Sequence, residues 1–387
     1  MSIIQEHSIK IDITPPKKDV HAKMEIFYNP LMVSNRNISI LLLNCIVNQK
    51  MNLADPLAGS GIRSLRFLKE LKKDKINYLA VNDLKENFIT VFKENLQRNQ
   101  INLTDKINLN QEDANLFLLN QIKHPVADSF CGYFDYIDLD PFGSPNPFIP
   151  AAISRICRKG IIAVTATDTA ALTGTYPKVT KRKYWAVSLR NHLMHEVGLR
   201  ILIRKVQLEG VQFDKALTPI LSYHKDHYYR IYFCAEKGKE KCDEIIKQHQ
   251  YLLFCPKCLN HQISNYNYGV CSCKTKFIFT GPLWTGKLLD PKLISKMVKE
   301  NPFPEEQKFL DLLKEESTID GPGFYDLHVL ARKYKLAPPR MESILKPLAA
   351  TRTQFSLTGI KTEKKIKEIV SIINSTIKKV KPKLNPN

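Results

Sequence analysis

One short stretch of the sequence combines residue types that suit chemistry on a nucleobase. It reads Asp138-Leu139-Asp140-Pro141-Phe142-Gly143-Ser144-Pro145 and follows an apolar run at 133–137. A strand that ends in an acid, followed by proline, a ring and glycine, places a carboxylate and an aromatic face at the sheet edge where open α/β folds bind ligands. An exocyclic amine needs an acceptor for its N–H groups and a flat surface for its ring, and Asp140 and Phe142 supply both. The alternative is a strand, a proline turn and a solvated aspartate.

Two further acids follow predicted strands. A strand at 51–55 leads through the glycine loop 56–61 into a helix, and such a loop lets the backbone approach a ligand at a helix N-terminus. Asp83 ends the next strand, where it suits ribose hydroxyls, and Asp113 follows a third strand, where it suits an adenine amine. The loop does not have the GxGxxG spacing, so the acids at successive strand ends carry more weight than its glycines.

The elements that position these acids alternate between strand and helix patterns. A fourth strand ends at Asp140, a fifth covers 160–168, and 219–223 with 228–233 predict an antiparallel hairpin at the sheet edge. This order predicts a parallel, doubly wound sheet. A helix is predicted from Val33 to Val47, and Arg36 in its first turn opposes the helix dipole, so we expect an anionic partner outside the helix, with a solvated arginine as the alternative. Phe27 is either a core aromatic or a second stacking face above a ligand.

Four of the nine cysteines are clustered, as Cys255-Pro256-Lys257-Cys258 and Cys271-Ser272-Cys273. A CxxC pair followed by a second pair predicts a structural zinc ribbon. The CxC spacing shortens the distance that the second pair can span around a metal ion. Three alternatives follow: the site is strained, His261 replaces one thiolate, or metal is absent. The other five do not predict a disulfide framework and are Cys45, Cys131, Cys157, Cys234 and Cys242.

The charge of the chain favours polyanionic partners. It carries 58 Lys+Arg against 38 Asp+Glu, a net charge of +20, which leaves RNA, DNA or an anionic membrane surface as candidates and a merely basic cytosolic enzyme as the alternative. No signal peptide is predicted, and the longest apolar run, 38–47, is shorter than the roughly 20 residues of a membrane span. We therefore expect a soluble cytoplasmic protein that does not enter a membrane.

The last part of the chain resembles a small winged-helix-like module. Helical patterns at 305–315, 325–334 and 339–348 precede a strand-like turn at 353–359, and the tail at 378–383 is predicted to be disordered. An RNA-facing surface is one interpretation of its basic and aromatic residues, and a solvated basic face is the other. These residues are Arg332, Lys333, Lys335, Arg340 and Arg352, with Tyr325, Tyr334 and Phe355.

Taken together, these motifs resemble the archaeal and eukaryotic tRNA guanine(26)-N2 dimethyltransferase family. The matching segments are 29–30, 36, 55–63, 82–83, 113–114, 138–145, 165–168, 281–286 and 359–362, which span nearly the whole chain. Asp-Pro-Phe-Gly-Ser-Pro is the most specific of them. One departure concerns the cysteines, because the family's metal site usually has two CxxC pairs.

The resemblance implies a class I S-adenosyl-L-methionine-dependent enzyme that acts on tRNA. It places the catalytic acid on Asp140, with Phe27 and Phe142 bracketing the guanine. Its implied cofactor contacts are Arg36, an arginine at Arg63 or Arg66, Asp83, Asp113 and Ala114, and its implied metal ligands are Cys255, Cys258, Cys271 and Cys273.

The expected architecture has three segments. Residues 1–240 form a Rossmann-like class I methyltransferase domain, 241–300 a zinc-ribbon-like segment with a linker, and 301–387 a basic α+β tRNA-binding domain. We expect a monomer without an obligate protein partner. A Rossmann-type NAD oxidoreductase and a zinc-containing nucleic-acid-binding protein without catalysis are the competing interpretations.

Overall fold

Contacts within the chain divide it into two compact units. The computed structural model describes residues 2–13, 27–121 and 132–380, so Cys131 and the tail beyond residue 380 lie outside the described residues. The first unit comprises 1–168, 206–245 and 295–307, and the second comprises 169–205, 246–294 and 308–387. The sequence predicted three consecutive functional segments, whereas these two units are defined by contacts. The predicted division into segments therefore stays a prediction.

Strands and helices alternate through the first part of the chain. In order they are β1 Ser2–Glu6, β2 Ile9–Ile13, α1 Val33–Cys45, β3 Met51–Asp55, α2 Ile62–Glu70, β4 Ile76–Asn82, α3 Phe88–Arg98, β5 Ile107–Asn110, α4 Ala114–Asn120, β6 Phe134–Leu139, α5 Ile149–Arg155 and β7 Ile156–Ala166. The next elements are α6 Thr169–Leu172, α7 Pro177–Tyr184, α8 Met194–Val211, β8 Lys215–Lys225, β9 Tyr228–Lys237 and α9 Lys239–Lys247.

A seven-stranded sheet organises the first unit, with the strand order β5-β4-β3-β6-β7-β9-β8. Strands β3 to β7 pair in parallel, and their near-continuous apolar stretches are buried because helices cover a parallel sheet on its faces. The chain leaves β3 towards β4 on one side and returns to β6 on the other. The crevice of a doubly wound fold opens at this reversal, beyond the carboxyl ends of β3 and β6.

The predicted edge hairpin is confirmed and is longer than expected. Strands β8 and β9 pair antiparallel around a turn at Asp226, and β9 also pairs antiparallel with β7. A separate two-stranded hairpin joins β1 to β2 at the N-terminus. The first of these two strands was not predicted.

The second unit contains two small antiparallel sheets. The elements after α9 are β10 His249–Phe254, β11 His261–Ser264, β12 Ile278–Trp284, α10 Pro291–Glu300, α11 Gln307–Glu316, β13 Tyr325–Asp326, α12 Leu327–Tyr334, α13 Met341–Leu348, β14 Thr351–Thr353, β15 Ser356–Lys361 and α14 Ile366–Val380. Of these, α10 and α11 include residues of the segment 295–307, which belongs to the first unit. The sheet β11-β10-β12 carries the cysteine pairs, and the sheet β13-β15-β14 combines with α12 to α14 in a winged-helix-like arrangement.

Two details of the C-terminal prediction are wrong. Tyr325 and Phe355 are buried, so neither can face RNA, whereas the basic residues Arg332 and Lys333 are exposed as expected. Helix α14 extends to Val380, so the backbone from residue 378 is helical rather than disordered up to that point, and 381–383 lie outside the described residues.

The expected architecture is present, with a doubly wound, mostly parallel sheet, a small antiparallel sheet that carries the cysteine pairs and a smaller α+β C-terminal part. None of the helices in the described ranges is long and apolar enough to cross a bilayer.

Candidate active site

A pocket lies at the reversal of strand order in the first unit and encloses roughly 580 Å³, including its open mouth. The segment that precedes α1, the ends of β3 and β6 and the start of α2 form its walls. Among the lining residues are Phe27, Arg36, Asp55, Arg63, Asp140, Phe142 and Thr167. The predicted catalytic residues are therefore brought together.

Asp140 is held by an arginine inside this pocket. Its side chain is 19% exposed, and Arg63 on α2 donates from a terminal nitrogen to Asp140 Oδ2. Within the described ranges Oδ1 of Asp140 accepts no hydrogen bond, so it is available to a substrate N–H. Burial opposes the charge on Arg63, but Asp138 and Asp140 together raise the pKa of its guanidinium. Arg63, predicted as a cofactor contact, thus binds the predicted catalytic acid.

A buried charge cluster lies behind Asp140, and we name it the Asp138 cluster: Asp138, Arg63, Arg230 and Asp140. Asp138 and Arg230 are both fully buried, and Arg230 donates to both oxygens of Asp138 at 2.9 and 2.7 Å. Arg63 lies 3.2 Å from Asp138 Oδ2. Burial alone would raise the pKa of Asp138, yet the two arginines lower it below its usual value. Both carboxylates of the cluster accept from arginines, and these buried hydrogen bonds fix the orientation of Arg63. Among the described residues, Nε of Arg230 has no hydrogen-bond partner.

Asp55 at the end of β3 is a second acid in the pocket wall. Ser64 donates its hydroxyl to Asp55 Oδ2 at 2.8 Å. Burial raises the pKa of Asp55 to about 7. The positive charge of Arg63 lowers this pKa, and the negative charge of Asp138 raises it. Asp55 therefore holds a proton more readily than the ion-paired Asp138, whose pKa is lowered.

Phe27 and Phe142 meet at the rim of the pocket. Their ring centroids are 4.4 Å apart with the planes at 70°, an edge-to-face contact, and Phe142 is 48% exposed. Gly143, in a left-handed conformation, turns the chain after Phe142 and donates to Thr167 Oγ1 at 2.7 Å. A base stacked between the two rings needs face contact with each of them, so one ring has to move aside before it enters.

The glycine loop supports this rim. Gly59 has φ +59, and a Cβ there would lie 3.0 Å from a ring carbon of Phe27, so both its conformation and its packing favour glycine. Gly59 N–H donates to Asp83 Oδ2 at 2.7 Å, and Lys85 N–H donates to Asp83 Oδ1 at 3.1 Å. Asp83 therefore shapes the loop while keeping lone pairs for a ligand.

Asp113 caps a helix. Its Oδ1 accepts from the backbone N–H groups of Asn115 and Leu116 at 2.9 and 3.2 Å, which satisfies two orphan donors of α4. Ala114 behind it is buried. Asp83, Asp113 and Ala114 follow the adjacent strands β4 and β5, beside the described pocket rather than among its lining residues.

The other two predicted arginines belong to a second buried group, which we name the Glu6 cluster: Glu6, Arg36, Arg66 and Glu70. Arg36 donates from Nε to Glu6 Oε1 at 2.7 Å, and Arg66 donates to the same oxygen at 2.9 Å. Burial opposes the charge on Glu6, but the arginines lower its pKa. The anionic partner expected for Arg36 is thus Glu6, and Arg36 also lines the pocket, whereas Arg66 is fully buried and pairs with Glu70.

Sequence reasoning missed Glu6 and Arg230. Arg230 lies within the apolar run of β9, and a charged residue inside a strand that is covered on both sides has to find a buried partner. That pattern could have indicated a buried ion pair. Glu6 carries no comparable signal, because its partners are distant in sequence.

The four clustered cysteines converge in the second unit. Cys255 Sγ lies 3.5 Å from Cys273 Sγ, Cys258 Sγ lies 3.5 Å from Cys271 Sγ, and all four lie within 4.8 Å of one another. A tetrahedral site with Zn–S bonds of about 2.3 Å has sulfur atoms roughly 3.8 Å apart, so this donor set fits zinc.

His261 is not part of this group. It is half-buried, its ring lies 4.7 Å from that of Tyr325, and desolvation lowers its pKa to about 4. The alternative in which His261 replaces a thiolate is therefore wrong.

The fold and the pocket together define a class I methyltransferase. The sequence profile of the N2,N2-dimethylguanosine tRNA methyltransferase family matches residues 5–374. A tRNA (guanine(26)-N(2)/guanine(27)-N(2))-dimethyltransferase of Aquifex aeolicus is 38% identical over 96% of this chain and 95% of its own length. A tRNA (guanine(26)-N(2))-dimethyltransferase of Pyrococcus furiosus is 36% identical over 96% of this chain and 99% of its own length.

A solved structure gives the same result. Trm1 from Pyrococcus horikoshii, in complex with S-adenosyl-L-methionine, superposes with a TM-score of 0.83 at 34% identity and covers 97% of this chain and 100% of its own. The chain belongs to the N2,N2-dimethylguanosine tRNA methyltransferase family. The predicted enzyme class, a tRNA (guanine-N2)-dimethyltransferase, is confirmed.

Proposed function

We propose that this enzyme transfers methyl groups from S-adenosyl-L-methionine to the exocyclic N2 of guanine 26 in tRNA, one and then a second. The observation that carries the proposal is Asp140, which lines the pocket, binds Arg63 through Oδ2 and has an Oδ1 that accepts no hydrogen bond from any described residue. The relatives named above act on guanine 26, and one of them also on guanine 27. The proposal therefore commits to position 26 as the main target.

Asp140 orients the amine. Its Oδ1 accepts an N2–H bond, so that the nitrogen lone pair faces away from the carboxylate, and it helps to remove the proton as the new bond forms. N2 keeps one hydrogen after the first methylation and can present it to the same oxygen again. Arg63 fixes the carboxylate in position for both rounds.

Phe27 and Phe142 receive the base. A guanine in a folded RNA has to leave its stack, which costs a few kcal/mol, and stacking on aromatic faces recovers about 1–3 kcal/mol per base. Phe142 is the more exposed of the two rings, and it precedes Gly143, which has a positive φ. We therefore assign to Phe142 the movement that opens the edge-to-face contact.

The methyl donor supplies an electrophilic carbon on a sulfonium centre. Asp83 is assigned to its ribose hydroxyls, Asp113 and Ala114 to its adenine, and Arg36 to its carboxylate, since Arg36 borders the pocket. Arg63 is assigned to Asp140 rather than to the donor, and Arg66, enclosed between Glu6 and Glu70, is assigned a structural role.

The test is incubation of unmodified tRNA with labelled S-adenosyl-L-methionine, followed by nucleoside mass spectrometry. N2-methylguanosine should appear first and N2,N2-dimethylguanosine later, and a tRNA carrying adenosine at position 26 should lose most of the label. Equal labelling of both tRNAs would contradict the assignment to position 26.

We also propose that Cys255, Cys258, Cys271 and Cys273 hold a structural zinc ion, which the compact sulfur geometry supports. Metal analysis should give one zinc per chain, and Cys273→Ser should lower that content and the melting temperature together. Full zinc occupancy in a Cys258→Ser/Cys273→Ser variant would refute the ligand set.

The segment 301–387 is proposed to contribute tRNA affinity through its exposed basic residues, such as Arg332 and Lys333. Substituting both by alanine should weaken tRNA binding without changing the affinity for the methyl donor. Location in the cytoplasm and a monomeric state stay predictions.

A further inference from the structure

A second basic region lies outside the C-terminal segment. Residues 169–195 contain five basic residues, Lys178, Lys181, Arg182, Lys183 and Arg190, and no aspartate or glutamate. Four of the five belong to α7, which the sequence analysis did not single out. A run of charge without acids attracts polyanions more strongly than a mixed surface does.

Packing turns the basic side chains of α7 outwards. Thr180 and Tyr184 are fully buried, and the Thr180 hydroxyl donates to the carbonyl of Ala171. Lys178, Lys181 and Arg182 are exposed, and within the described ranges none of them forms an ion pair. These three cations are therefore available to a ligand.

Exposed aromatic residues flank the helix at both ends. Tyr176 precedes it and is 59% exposed, and Trp185 follows it and is 52% exposed. Trp185 has φ +53 and is the C-cap residue at which the helix ends. Large aromatic rings in such positions offer stacking faces that a purely phosphate-binding surface does not need.

Trp185 is held firmly although it is exposed. Lys205 Nζ lies 3.7 Å from the centroid of its ring, and Arg204 donates to its carbonyl at 3.3 Å. Two residues later, Val187 exchanges two backbone hydrogen bonds of 2.8 Å with Gly281 of β12. The indole thus projects from a backbone that is tied to the sheet β11-β10-β12, which limits the entropy lost when a ligand stacks on it.

We propose that α7, with Tyr176 and Trp185 at its ends, is a docking surface for the folded RNA substrate. This proposal rests on the proposed function, because that function supplies the RNA. Lys178, Lys181 and Arg182 bind backbone phosphates, and Trp185 stacks on an unpaired base. RNA fits better than an acidic protein because it supplies phosphates and flat rings together. In the sequence, only residues 168–176 separate α7 from Thr167 of the pocket wall.

Intrinsic fluorescence provides the first test. The chain has two tryptophans, and Trp284 is only 3% exposed, so a change that RNA causes at the surface reports on Trp185. Titration of the full-length protein with unmodified tRNA should quench the emission in a saturable and salt-sensitive way, and Trp185→Phe should abolish the quenching. Binding of tRNA without any change in emission would overturn the proposal.

Charge removal provides the second test. The variant Lys178→Ala/Lys181→Ala/Arg182→Ala is compared with Lys69→Ala/Lys73→Ala/Lys93→Ala, which removes the same charge from exposed positions of α2, the loop after it and α3. The α7 variant should bind tRNA at least about tenfold more weakly at moderate salt. Its slope of log affinity against log salt should fall by up to about 0.9 for each phosphate that the variant no longer neutralises. The control should change little, and both should keep the parent's affinity for S-adenosyl-L-methionine.

The outcomes separate this surface from the proposed function. If the parent binds tRNA through α7 but transfers no methyl group, the proposed function fails and the surface stands. If the parent methylates tRNA and the α7 variant matches the control in affinity and salt slope, the surface is wrong and the function stands. If the α7 variant binds tRNA as tightly as the parent but no longer binds anionic phospholipid vesicles, the RNA assignment is overturned in favour of a membrane surface.

Discussion

The Asp138 cluster and the Glu6 cluster use the same components for different ends. Each places a buried carboxylate between two arginines, and in each the arginines lower the pKa of that carboxylate against the effect of burial. The Asp138 cluster ends at Asp140, which opens into the pocket, whereas the Glu6 cluster ties β1 to α1 and α2 and ends at Glu70. The difference between the clusters lies in Asp140 and Glu70. Because Asp140 lines the pocket, its cluster can orient a reactive group, whereas the cluster that contains Glu70 holds secondary-structure elements together.

The largest expected effect is at Asp140, the open end of its cluster. Asp140→Asn keeps the shape but removes the negative acceptor, so turnover should fall by roughly 10²- to 10⁴-fold with little change in affinity for S-adenosyl-L-methionine. Single-turnover methylation of tRNA is the measurement. A rate within a few-fold of the parent would mean that Asp140 is structural and that the chemistry takes place elsewhere.

The second prediction compares matched arginines of the two clusters. Arg63→Met and Arg66→Met each leave a buried carboxylate with one partner fewer, which should reduce the free energy of unfolding by up to about 3–5 kcal/mol. Only Arg63→Met should also reduce the turnover of the folded fraction, because only Arg63 contacts Asp140.

Denaturant titration and active-site-normalised turnover separate these two effects. A variant at Arg66 that loses as much turnover per folded molecule as the variant at Arg63 would erase the distinction between the clusters. Arg63→Lys sharpens the test, since it keeps the charge but cannot bridge Asp138 and Asp140 with a planar fork.

A smaller effect is expected at Asp83, outside both clusters. Asp83→Ala removes a charged acceptor for the ribose, so affinity for S-adenosyl-L-methionine should fall by roughly 1.5–3 kcal/mol. Calorimetry measures this directly. Unchanged affinity would remove Asp83 from the cofactor site and leave it only its hydrogen bonds to the backbone of Gly59 and Lys85.

The smallest effect is expected at Asp113, where capping and binding can be separated. Asp113→Ala should lower stability by about 1 kcal/mol through loss of the helix cap, while Asp113→Asn should retain the cap. Both should weaken cofactor binding if the carboxylate accepts from adenine. Weaker binding in the alanine variant alone would assign Asp113 to the helix and not to the ligand.

The sequence predicted well what depends on local pattern. Acids at the ends of successive strands and the hairpin of β8 and β9 follow from strand periodicity and turn residues, and they place Asp140 at the pocket correctly. The spacing of the cysteines predicted a metal-binding cluster, but the narrow CxC pair left open whether His261 replaces one thiolate, and the structure brings the four cysteines together without it.

Side-chain partnerships could not be predicted in the same way. Arg63 and Arg66 lie on one helix and read alike in sequence, yet one binds Asp140 and the other Glu6 and Glu70. The direction in which each points depends on tertiary packing. Tyr325 and Phe355 failed as surface residues for a related reason, because an aromatic residue in a basic segment is compatible with either face of the element.

The hydroxyl of Ser39 has a consequence for how this enzyme can change during evolution. It accepts from Arg63 at 3.1 Å and from Arg230 at 3.0 Å, so two guanidinium groups share one small side chain. Removing this hydroxyl would leave each guanidinium with one acceptor fewer in a buried site, so the effects of substitutions at these residues should depend on one another. We therefore expect this buried arrangement to change less readily during evolution than an exposed rim residue such as Phe142.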